Sequence, residues 1–259
     1  MSSVALLGAG NVATHLGAAL VANGHRVTGV YSRSAASADR LAGHLGCPGT
    51  DCLDRLTPGE WCIFAVKDDA LPALAKRWTA LHPDTFCLHT AGSVPMDVFA
   101  GHADRYGVLY PLQTFSKARA VDFRRVPCFV EANGAPQLET LTALARTLSD
   151  RVVALPSERR RYLHLAAVLA CNFANHCYDL AARLLEREGL PFDLLLPLID
   201  ETAAKVHDLA PREAQTGPAV RYDREVINCQ LDLLADRPEL RQLYAAMSQS
   251  IHQYARQND

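Results

Sequence analysis

The residues with the clearest chemical meaning form a glycine turn near the start of the chain. An apolar strand pattern leads into it and a helical pattern follows, with the sequence Gly8-Ala9-Gly10-Asn11-Val12-Ala13. Gly8 permits a tight turn, Gly10 leaves room for a pyrophosphate, and Ala13 lets the helix pack closely on the strand. The first N–H groups of the helix then bind phosphates. We therefore predict a dinucleotide site at Gly8, Ala9, Gly10, Asn11 and Val12. The alternative is a strand–helix turn without a ligand.

The residues after the second strand pattern indicate which dinucleotide binds. A site for NAD usually places an acidic residue about 20 positions beyond the glycines, where it binds the ribose hydroxyls. Here that region reads Tyr31-Ser32-Arg33-Ser34, and no acid occurs before Asp39. Arg33 can pair with a 2′-phosphate, and Ser32 and Ser34 can donate hydrogen bonds to it. We predict NADP(H) rather than NAD(H). The alternative is that Arg33 is a solvated loop charge.

A third segment, Ala65-Val66-Lys67-Asp68-Asp69, follows another apolar strand pattern. We expect Ala65 and Val66 to contact the nicotinamide ribose. Lys67 is either a phosphate or substrate contact or a solvated lysine, and the aspartates either serve the site or cap the next helix.

Polar residues also follow two later strand patterns. His89-Thr90-Ala91-Gly92-Ser93 comes at the carboxyl edge, where doubly wound sheets bind ligands. His89 is either a proton donor or a side chain that holds the turn, and Ser93 offers a hydroxyl. Tyr110-Pro111-Leu112-Gln113-Thr114-Phe115-Ser116 brings Gln113 and Thr114 into an apolar segment, as a specificity pocket requires. The basic loop from Lys117 to Arg125 either recruits an anionic substrate or is solvated.

Two further candidates occur in the second half of the chain. At about 100° per residue, His164, Asn172, Asn175 and Asp179 fall within an arc of roughly 80° on an apolar helix. This polar stripe indicates either a ligand cleft or an internal network, such as a dimer interface. Arg221 follows Thr216-Gly217-Pro218-Ala219-Val220 and could bind a carboxylate or phosphate that Asp223 helps to orient. The alternative is a structural Arg–Asp pair.

The secondary-structure patterns around these residues differ between the two halves of the chain. The predicted strands are Val4–Leu7, Arg26–Tyr31, Trp61–Ala65, Thr85–His89, Arg105–Tyr110, Val126–Glu131 and Arg151–Ala154. Helical patterns lie between them, near Asn11–Asn23, Ser37–Leu45, Ala70–Leu81, Met96–Ala100 and Pro136–Leu148. Only helices are predicted afterwards, at Arg161–Glu188, Phe192–Leu209, Tyr222–Leu234 and Glu239–Gln257, with a break at Pro211–Pro218. The fold class is therefore α/β: a parallel-sheet domain over residues 1–155 and an all-helical domain over 156–259.

Composition excludes several functions. The 259 residues include 26 Lys plus Arg and 28 Asp plus Glu, a net charge of −2, so no basic excess favours nucleic acid. The absence of a signal sequence or a bilayer-length apolar run predicts a cytoplasmic protein with no membrane partner. The eight cysteines and ten histidines are dispersed. We expect buried, reduced thiols and no structural zinc.

Together these motifs resemble a known family, the Rossmann-like proteins with a DUF2520 C-terminal domain. That family belongs to a wider group of pyrroline-5-carboxylate reductases, 6-phosphogluconate dehydrogenase-like proteins and F420-dependent NADP oxidoreductases. The resemblance covers nearly the whole chain. The residues most specific to this family are Asn172 and the segment from Thr216 to Arg221. It implies an NADP-binding N-terminal domain, a helical domain that forms a homodimer, and a small-molecule substrate between the domains. The family usually has Arg-Gly-Asp where this chain has Arg221-Tyr222-Asp223.

The leading functional hypothesis is an NADP-dependent oxidoreductase acting on a small, anionic C=O or C=N compound in the cleft between the predicted domains. The predicted substrate-side residues are His89, Ser93, Gln113, His164, Asn172 and Arg221. Either histidine would handle the proton, and Arg221 would bind the anionic group. Two alternatives remain open: a non-catalytic NADP-binding redox sensor, and an imine reductase of the pyrroline-5-carboxylate type.

Overall fold

The first strand lies near the middle of an eight-stranded sheet with the order β3-β2-β1-β4-β5-β6-β7-β8. The computed structural model describes residues 1–256. The strands are β1 (Ser3–Leu7), β2 (Arg26–Tyr31), β3 (Gly49–Thr50), β4 (Trp61–Phe64), β5 (Phe86–His89), β6 (Tyr106–Pro111), β7 (Cys128–Ala132) and β8 (Val152–Ala154). Strands β1 to β6 pair in parallel, in the order of a Rossmann fold. The predicted α/β class is confirmed.

Helices cover both faces of this sheet. They are α1 (Asn11–Ala22), α2 (Ala35–Leu45), α3 (Leu71–Leu81) and α4 (Ala135–Leu148). Successive strand side chains point to opposite faces. Leu6 and Ile63 therefore join one apolar cluster with Leu16 of α1. Leu7 joins another cluster with Trp78 of α3. Burial on both faces explains why these strands are apolar throughout.

Three details of the sheet region differ from the sequence-based prediction. Strand β3 was not predicted, because two residues are too few to give a pattern. Strand β7 runs antiparallel to β6, and β8 pairs in parallel with β7, so the predicted parallel sheet describes only the first six strands. The segment predicted as a helix near Met96–Ala100 is a single 3₁₀ turn, Met96–Phe99.

From Ser157 onward the described part of the chain is helical, as predicted. The helices are α5 (Ser157–Ala167), α6 (Ala174–Arg187), α7 (Leu196–Asp208), α8 (Pro211–Ala214), α9 (Pro218–Arg221), α10 (Arg224–Leu233) and α11 (Pro238–Arg256). A π-helical segment, Val168–Phe173, joins α5 to α6. The predicted single helix therefore contains a π segment, and the predicted break contains the short helix α8. Gln257, the predicted last helical residue, lies outside the described residues.

The chain divides into two compact units, Met1–His176 and the residues from Cys177 onward. The first unit thus includes α5 and the π segment as well as the sheet. The predicted domain boundary at residue 155 remains a prediction. Among the described residues, no helix combines the length and the apolar character needed to span a bilayer.

The cysteines are all free thiols, as expected. Cys62, Cys87 and Cys128 are buried, and burial raises the pKa of Cys87 and that of Cys128 to about 11. Cys47, Cys52 and Cys177 are half-buried, and the expectation of burial is wrong for Cys171 and Cys229, which are exposed.

Candidate functional site

The glycine turn is held tightly against the ends of neighbouring strands. Gly8 has a φ of 118°, and its N–H donates to the carbonyl oxygen of Tyr31 at 2.7 Å. A Cβ at this position would lie 2.1 Å from the carbonyl oxygen of Ala65. Both the backbone conformation and the lack of space therefore require glycine here. The turn places the start of α1 beside the carboxyl ends of β1 and β4.

The N-terminus of α1 is open to a ligand. Gly10 is its N-cap residue and supplies no side-chain hydrogen bond to the first N–H groups of the helix. A Cβ built on Gly10 would meet no atom within 4 Å. The unpaired N–H groups and the positive end of the helix dipole therefore face open space, as an anion site requires.

A cleft of about 900 Å³ extends from this turn. The carboxyl ends of β4, β5 and β6 line it, together with α5 and the π segment. The predicted site residues on its wall are Gly10, Asn11, Val12, Ala65, Val66, Lys67, Gln113, His164 and Asn172. All lining residues belong to the first compact unit. The lining is mostly apolar with a few polar groups, which is typical of a small-molecule site.

The segment predicted to bind the 2′-phosphate follows β2. The side chain of Ser34 caps α2 by accepting a hydrogen bond from the N–H of Ser37 at 3.3 Å. The hydroxyl of Ser32 accepts a longer one, of 3.4 Å, from the N–H of Ser34. Arg33 is exposed, and within residues 1–256 it has no ion-pair partner. Its guanidinium is free to bind a phosphate.

His89 is fully buried at the end of β5 and is absent from the wall of the cleft. Its Nδ1 accepts a hydrogen bond from the N–H of Ala91 at 3.1 Å. Burial, and secondly the positive charge of Arg160, lowers the pKa of His89 to about 3. The ring is therefore neutral at physiological pH. These contacts support the interpretation that His89 holds the turn. They do not favour the alternative, that His89 donates a proton to the substrate.

The other predicted histidine, His164, lies on the wall of the cleft and pairs with a tyrosine. Its Nδ1 is 2.9 Å from the hydroxyl of Tyr110, at the end of β6. Burial raises the pKa of Tyr110, and the nearby charge of Arg160 partly offsets the effect. The hydroxyl therefore stays protonated near neutral pH and can donate to Nδ1. When the hydroxyl donates, a neutral imidazole carries its hydrogen on Nε2.

Gly92 allows this histidine to approach the backbone. A Cβ on Gly92 would lie 2.4 Å from Nδ1 of His164. The neighbouring Ser93 is exposed, and its hydroxyl donates a short hydrogen bond to the carboxylate of Asp68. Asp68 itself lines the cleft. Ser93 is thus placed to orient this carboxylate, and the structure shows no side-chain cap by Asp68 on the next helix.

A buried ion pair fixes the start of α5. Arg160, with no exposed surface on its side chain, lies 2.6 Å from a carboxylate oxygen of Glu131 on β7. Glu131 also accepts hydrogen bonds from the N–H and the hydroxyl of Ser157, and Arg160 donates to the carbonyl of Val94. The pair therefore connects α5 to the sheet and to the loop after β5. Helix α5 carries His164.

The predicted polar stripe is only partly realised. His164 and Asn172 line the cleft, whereas Asn175 does not. Asp179 lies in the second unit, where it pairs with Arg183 at 2.9 Å on an exposed surface. The rotation of 100° per residue assumed for the stripe does not hold through the π segment, which has a wider turn.

Arg221 lies in the second unit, at the end of α9. It lines a pocket there together with Arg212, His252 and Arg256. The structural Arg–Asp pair, the alternative to a ligand-binding role, does not form among the described contacts; Asp223 instead caps α10 by accepting from the N–H of Val226 at 3.3 Å.

Tyr222 replaces the usual glycine of the motif and keeps a left-handed conformation, with a φ of 52°. Its ring stacks on that of His252, at 4.6 Å between centroids, and Arg224 lies over it at 5.6 Å. These ring contacts offset the strain of a non-glycine residue in this conformation.

The cleft wall also contains residues that were not predicted to belong to a site, among them Tyr110 and Cys171, and it contains Asp68, for which a site role and a capping role were both open. Tyr110 belongs to the same motif as the predicted polar residues Gln113 and Thr114. Its position at the end of a strand pattern indicated a place at the sheet edge. Its partner, His164, lies 54 residues further along the chain. Nothing in the sequence shows that pairing.

The fold and the glycine turn define a Rossmann-like nucleotide-binding protein. Residues 1–114 match the Rossmann-like domain family, and residues 126–251 match a domain of unknown function, DUF2520. A crystal structure described as a candidate NADP oxidoreductase from Bacteroides fragilis is 48% identical, with a TM-score of 0.94 over 97% of this chain and 98% of that one. The chain therefore belongs to the family of Rossmann-like proteins with a DUF2520 domain, as the sequence resemblance indicated.

More distant structures share the fold. An imine reductase from Streptomyces aurantiacus is 16% identical, with a TM-score of 0.70 over 97% of this chain and 93% of that one. A pyrroline-5-carboxylate reductase from Coxiella burnetii is also 16% identical, with a TM-score of 0.60 over 99% and 98%. No curated protein matches the chain.

Proposed function

We propose that the protein is an NADP-dependent oxidoreductase that acts on a small compound with a C=O or C=N group. One observation carries the proposal. An uncapped helix N-terminus and a Tyr–His pair lie on the wall of one cleft. The first binds the phosphates of a dinucleotide, and the second handles a proton. The 48% identical relative, described as a candidate NADP oxidoreductase, supports the same activity.

The chain's own groups fit a bound NADP. The open space at Gly10 accommodates the diphosphate, and the free guanidinium of Arg33 is the ligand for the 2′-phosphate. Ala65 and Val66 line the part of the cleft next to the turn, where the nicotinamide ribose is expected. The coenzyme supplies the hydride chemistry when bound.

The protein contributes positioning and a proton. Tyr110 donates its hydroxyl hydrogen to Nδ1 of His164, which fixes the tautomer with the hydrogen on Nε2. In the proposed step, Nε2 of His164 gives its proton to the substrate oxygen or nitrogen while Nδ1 takes the hydroxyl proton of Tyr110, and solvent then returns a proton to Tyr110. The amide side chains of Gln113 and Asn172, both on the cleft wall, are the hydrogen-bonding groups for the substrate's polar atoms. Binding of the substrate's anionic group by Arg221 remains a prediction.

The test is turnover by the full-length protein. NADPH is supplied with pyrroline-5-carboxylate, a second cyclic imine and a 2-keto acid, and the loss of the reduced nicotinamide absorbance is followed. We expect the protein to reduce at least one of these substrates. His164→Ala should lower kcat about 100-fold or more, and Tyr110→Phe should lower it by a smaller factor. His102→Ala, at an exposed histidine of the same unit, is the matched control. Tight NADPH binding without turnover across a broad substrate panel would instead favour the redox-sensor alternative.

We further propose that two copies of the chain pair through their helical regions. Many large apolar side chains of these regions are exposed, among them Leu169 (57%), Phe173 (56%), Leu194 (61%) and Leu198 (63%). A second copy would cover such surfaces, which are costly to leave in water. Light scattering after size exclusion should give the mass of two chains, and Leu198→Asp should shift it toward one. A monomeric parent protein at micromolar concentration would contradict this proposal.

A further inference from the structure

A segment between β6 and β7 packs against the first two turns of α1. We call Phe115–Lys117 the strap. Nδ2 of Asn11 donates to the carbonyl of Phe115 at 2.8 Å, and Nε2 of His15 is 2.9 Å from the carbonyl of Ser116. The rings of His15 and Phe115 also stack, with centroids 5.1 Å apart. The strap therefore contacts the first two turns of the helix that carries the predicted diphosphate site.

The strap places a positive charge on the glycine turn. Nζ of Lys117 donates to the carbonyl oxygen of Ala9 at 2.7 Å, although the two residues are 108 positions apart. Across residues 1–256, no carboxylate lies within ion-pair distance of this ammonium. An ammonium has three N–H donors, and the contact with Ala9 uses one of them. Both its charge and its remaining donors are therefore available to an anion at the turn.

We propose that Lys117 binds the diphosphate of the dinucleotide. The site then has two sides: the N–H groups at the start of α1 on one, and the ammonium from the strap on the other. This proposal rests on the proposed function and adds a binding residue to it. A helix N-terminus alone contributes partial charges, whereas Lys117 supplies a full one next to the same backbone turn.

The proposal separates Lys117 from Arg33 by the phosphate that each contacts. NADPH and NADH share the diphosphate, and only NADPH carries the 2′-phosphate. Loss of the Lys117 charge should therefore weaken both coenzymes by the same factor. Loss of the Arg33 charge should weaken NADPH alone. A charge-assisted hydrogen bond corresponds to a change of about tenfold in affinity.

The experiment is a fluorescence titration of the full-length protein with NADPH and with NADH, at low and at moderate salt. The variants are Lys117→Met and Lys117→Arg, with Arg119→Met as the matched control, since Arg119 is an exposed cation two residues further on. We expect Lys117→Met to weaken both coenzymes about tenfold and to reduce the salt dependence of binding. Lys117→Arg should retain most of the affinity, and Arg119→Met should resemble the parent protein.

Several outcomes would overturn the assignment. If the parent protein binds the coenzymes and Lys117→Met binds both equally well, Lys117 does not contact the diphosphate. If Lys117→Met weakens NADPH alone, its ligand is the 2′-phosphate and the proposal is wrong. If the parent protein binds neither coenzyme, the proposed function fails and the role of Lys117 fails with it. Thermal unfolding of each variant identifies any loss of binding that follows from misfolding.

Discussion

The hydroxyl of Tyr110 lies 2.9 Å from Nδ1 of His164, and the backbone of Gly92 packs against the same imidazole. The three residues come from β6, from α5 and from the loop after β5. Their contact makes the histidine a defined donor on the cleft wall rather than a mobile surface group. It also makes the geometry of the pair sensitive to a single added methyl group.

The first prediction concerns Gly92→Ala. The new Cβ would lie 2.4 Å from Nδ1 of His164, so the ring must move and the hydrogen bond to Tyr110 must break. We expect kcat to fall about 100-fold, as for removal of a proton donor, while NADPH affinity changes little. Gly43→Ala is the control, because its Cβ would meet no atom within 4 Å. Unchanged steady-state turnover in Gly92→Ala would contradict the role of the pair.

The second prediction concerns coenzyme preference. Arg33 is exposed and unpaired among the described residues, so Arg33→Ala should leave the fold intact. NADPH affinity should fall about tenfold or more, because the variant lacks the guanidinium for the 2′-phosphate, and NADH affinity should stay the same. Arg40→Ala, at an exposed arginine on α2, is the matched control. Equal affinities of the parent protein for the two coenzymes would refute the argument for NADP.

The third prediction concerns acid stability. The pKa of His89 is about 3 in the folded protein and near 6.5 in an unfolded chain, so the neutral ring favours folding. This contribution is fully present above pH 6.5 and is lost as the pH falls from 6.5 toward 3. Near pH 5 the free energy of unfolding should drop by about 1.4 kcal/mol per pH unit from this group alone.

Urea unfolding at pH 7 and pH 5 measures this effect. His89→Gln should lower the stability at pH 7 and flatten the decline toward pH 5, leaving the smaller part that comes from His25 and His82, whose pKa values burial also lowers. If the parent protein and the variant lose the same free energy between the two pH values, His89 is not a buried neutral ring.

The fourth prediction compares a buried with an exposed ion pair. Glu131→Ala leaves the guanidinium of Arg160 buried without its partner, which should cost about 3–5 kcal/mol of unfolding free energy. Asp54→Ala removes the partner of Arg77 at the surface, where both side chains are about half exposed, and should cost under about 1 kcal/mol. Urea unfolding of the two variants measures the difference. Similar losses would show that Glu131 does not hold α5 in place.

The sequence predicted those features that depend on neighbouring residues. The turn from Gly8 to Ala13 was recognisable because a strand, two glycines and a helix follow one another directly. The resemblance identified the family for the same reason, since its motifs are local. The helical second half followed from the 3.6-residue pattern of apolar residues.

Features that depend on distant parts of the chain were not predictable. The antiparallel direction of β7 depends on how the chain crosses the sheet, not on its strand residues. His89 was a proton-donor candidate because it follows a strand, but its burial depends on side chains such as Phe99 and on the position of Arg160. The Tyr110–His164 pair and the attachment of Lys117 to Ala9 join residues far apart in the sequence.

Binding of the coenzyme at the glycine turn can be tested with Gly10→Asp, by fluorescence titration with NADPH alongside urea unfolding. Space around Gly10 is open, and aspartate is a favoured N-cap residue, so the variant should be at least as stable as the parent protein. Its carboxylate would occupy the place of the diphosphate and repel it, so NADPH affinity should fall about 100-fold or more. A folded Gly10→Asp variant that binds NADPH as tightly as the parent protein would show that the glycine turn does not receive the coenzyme.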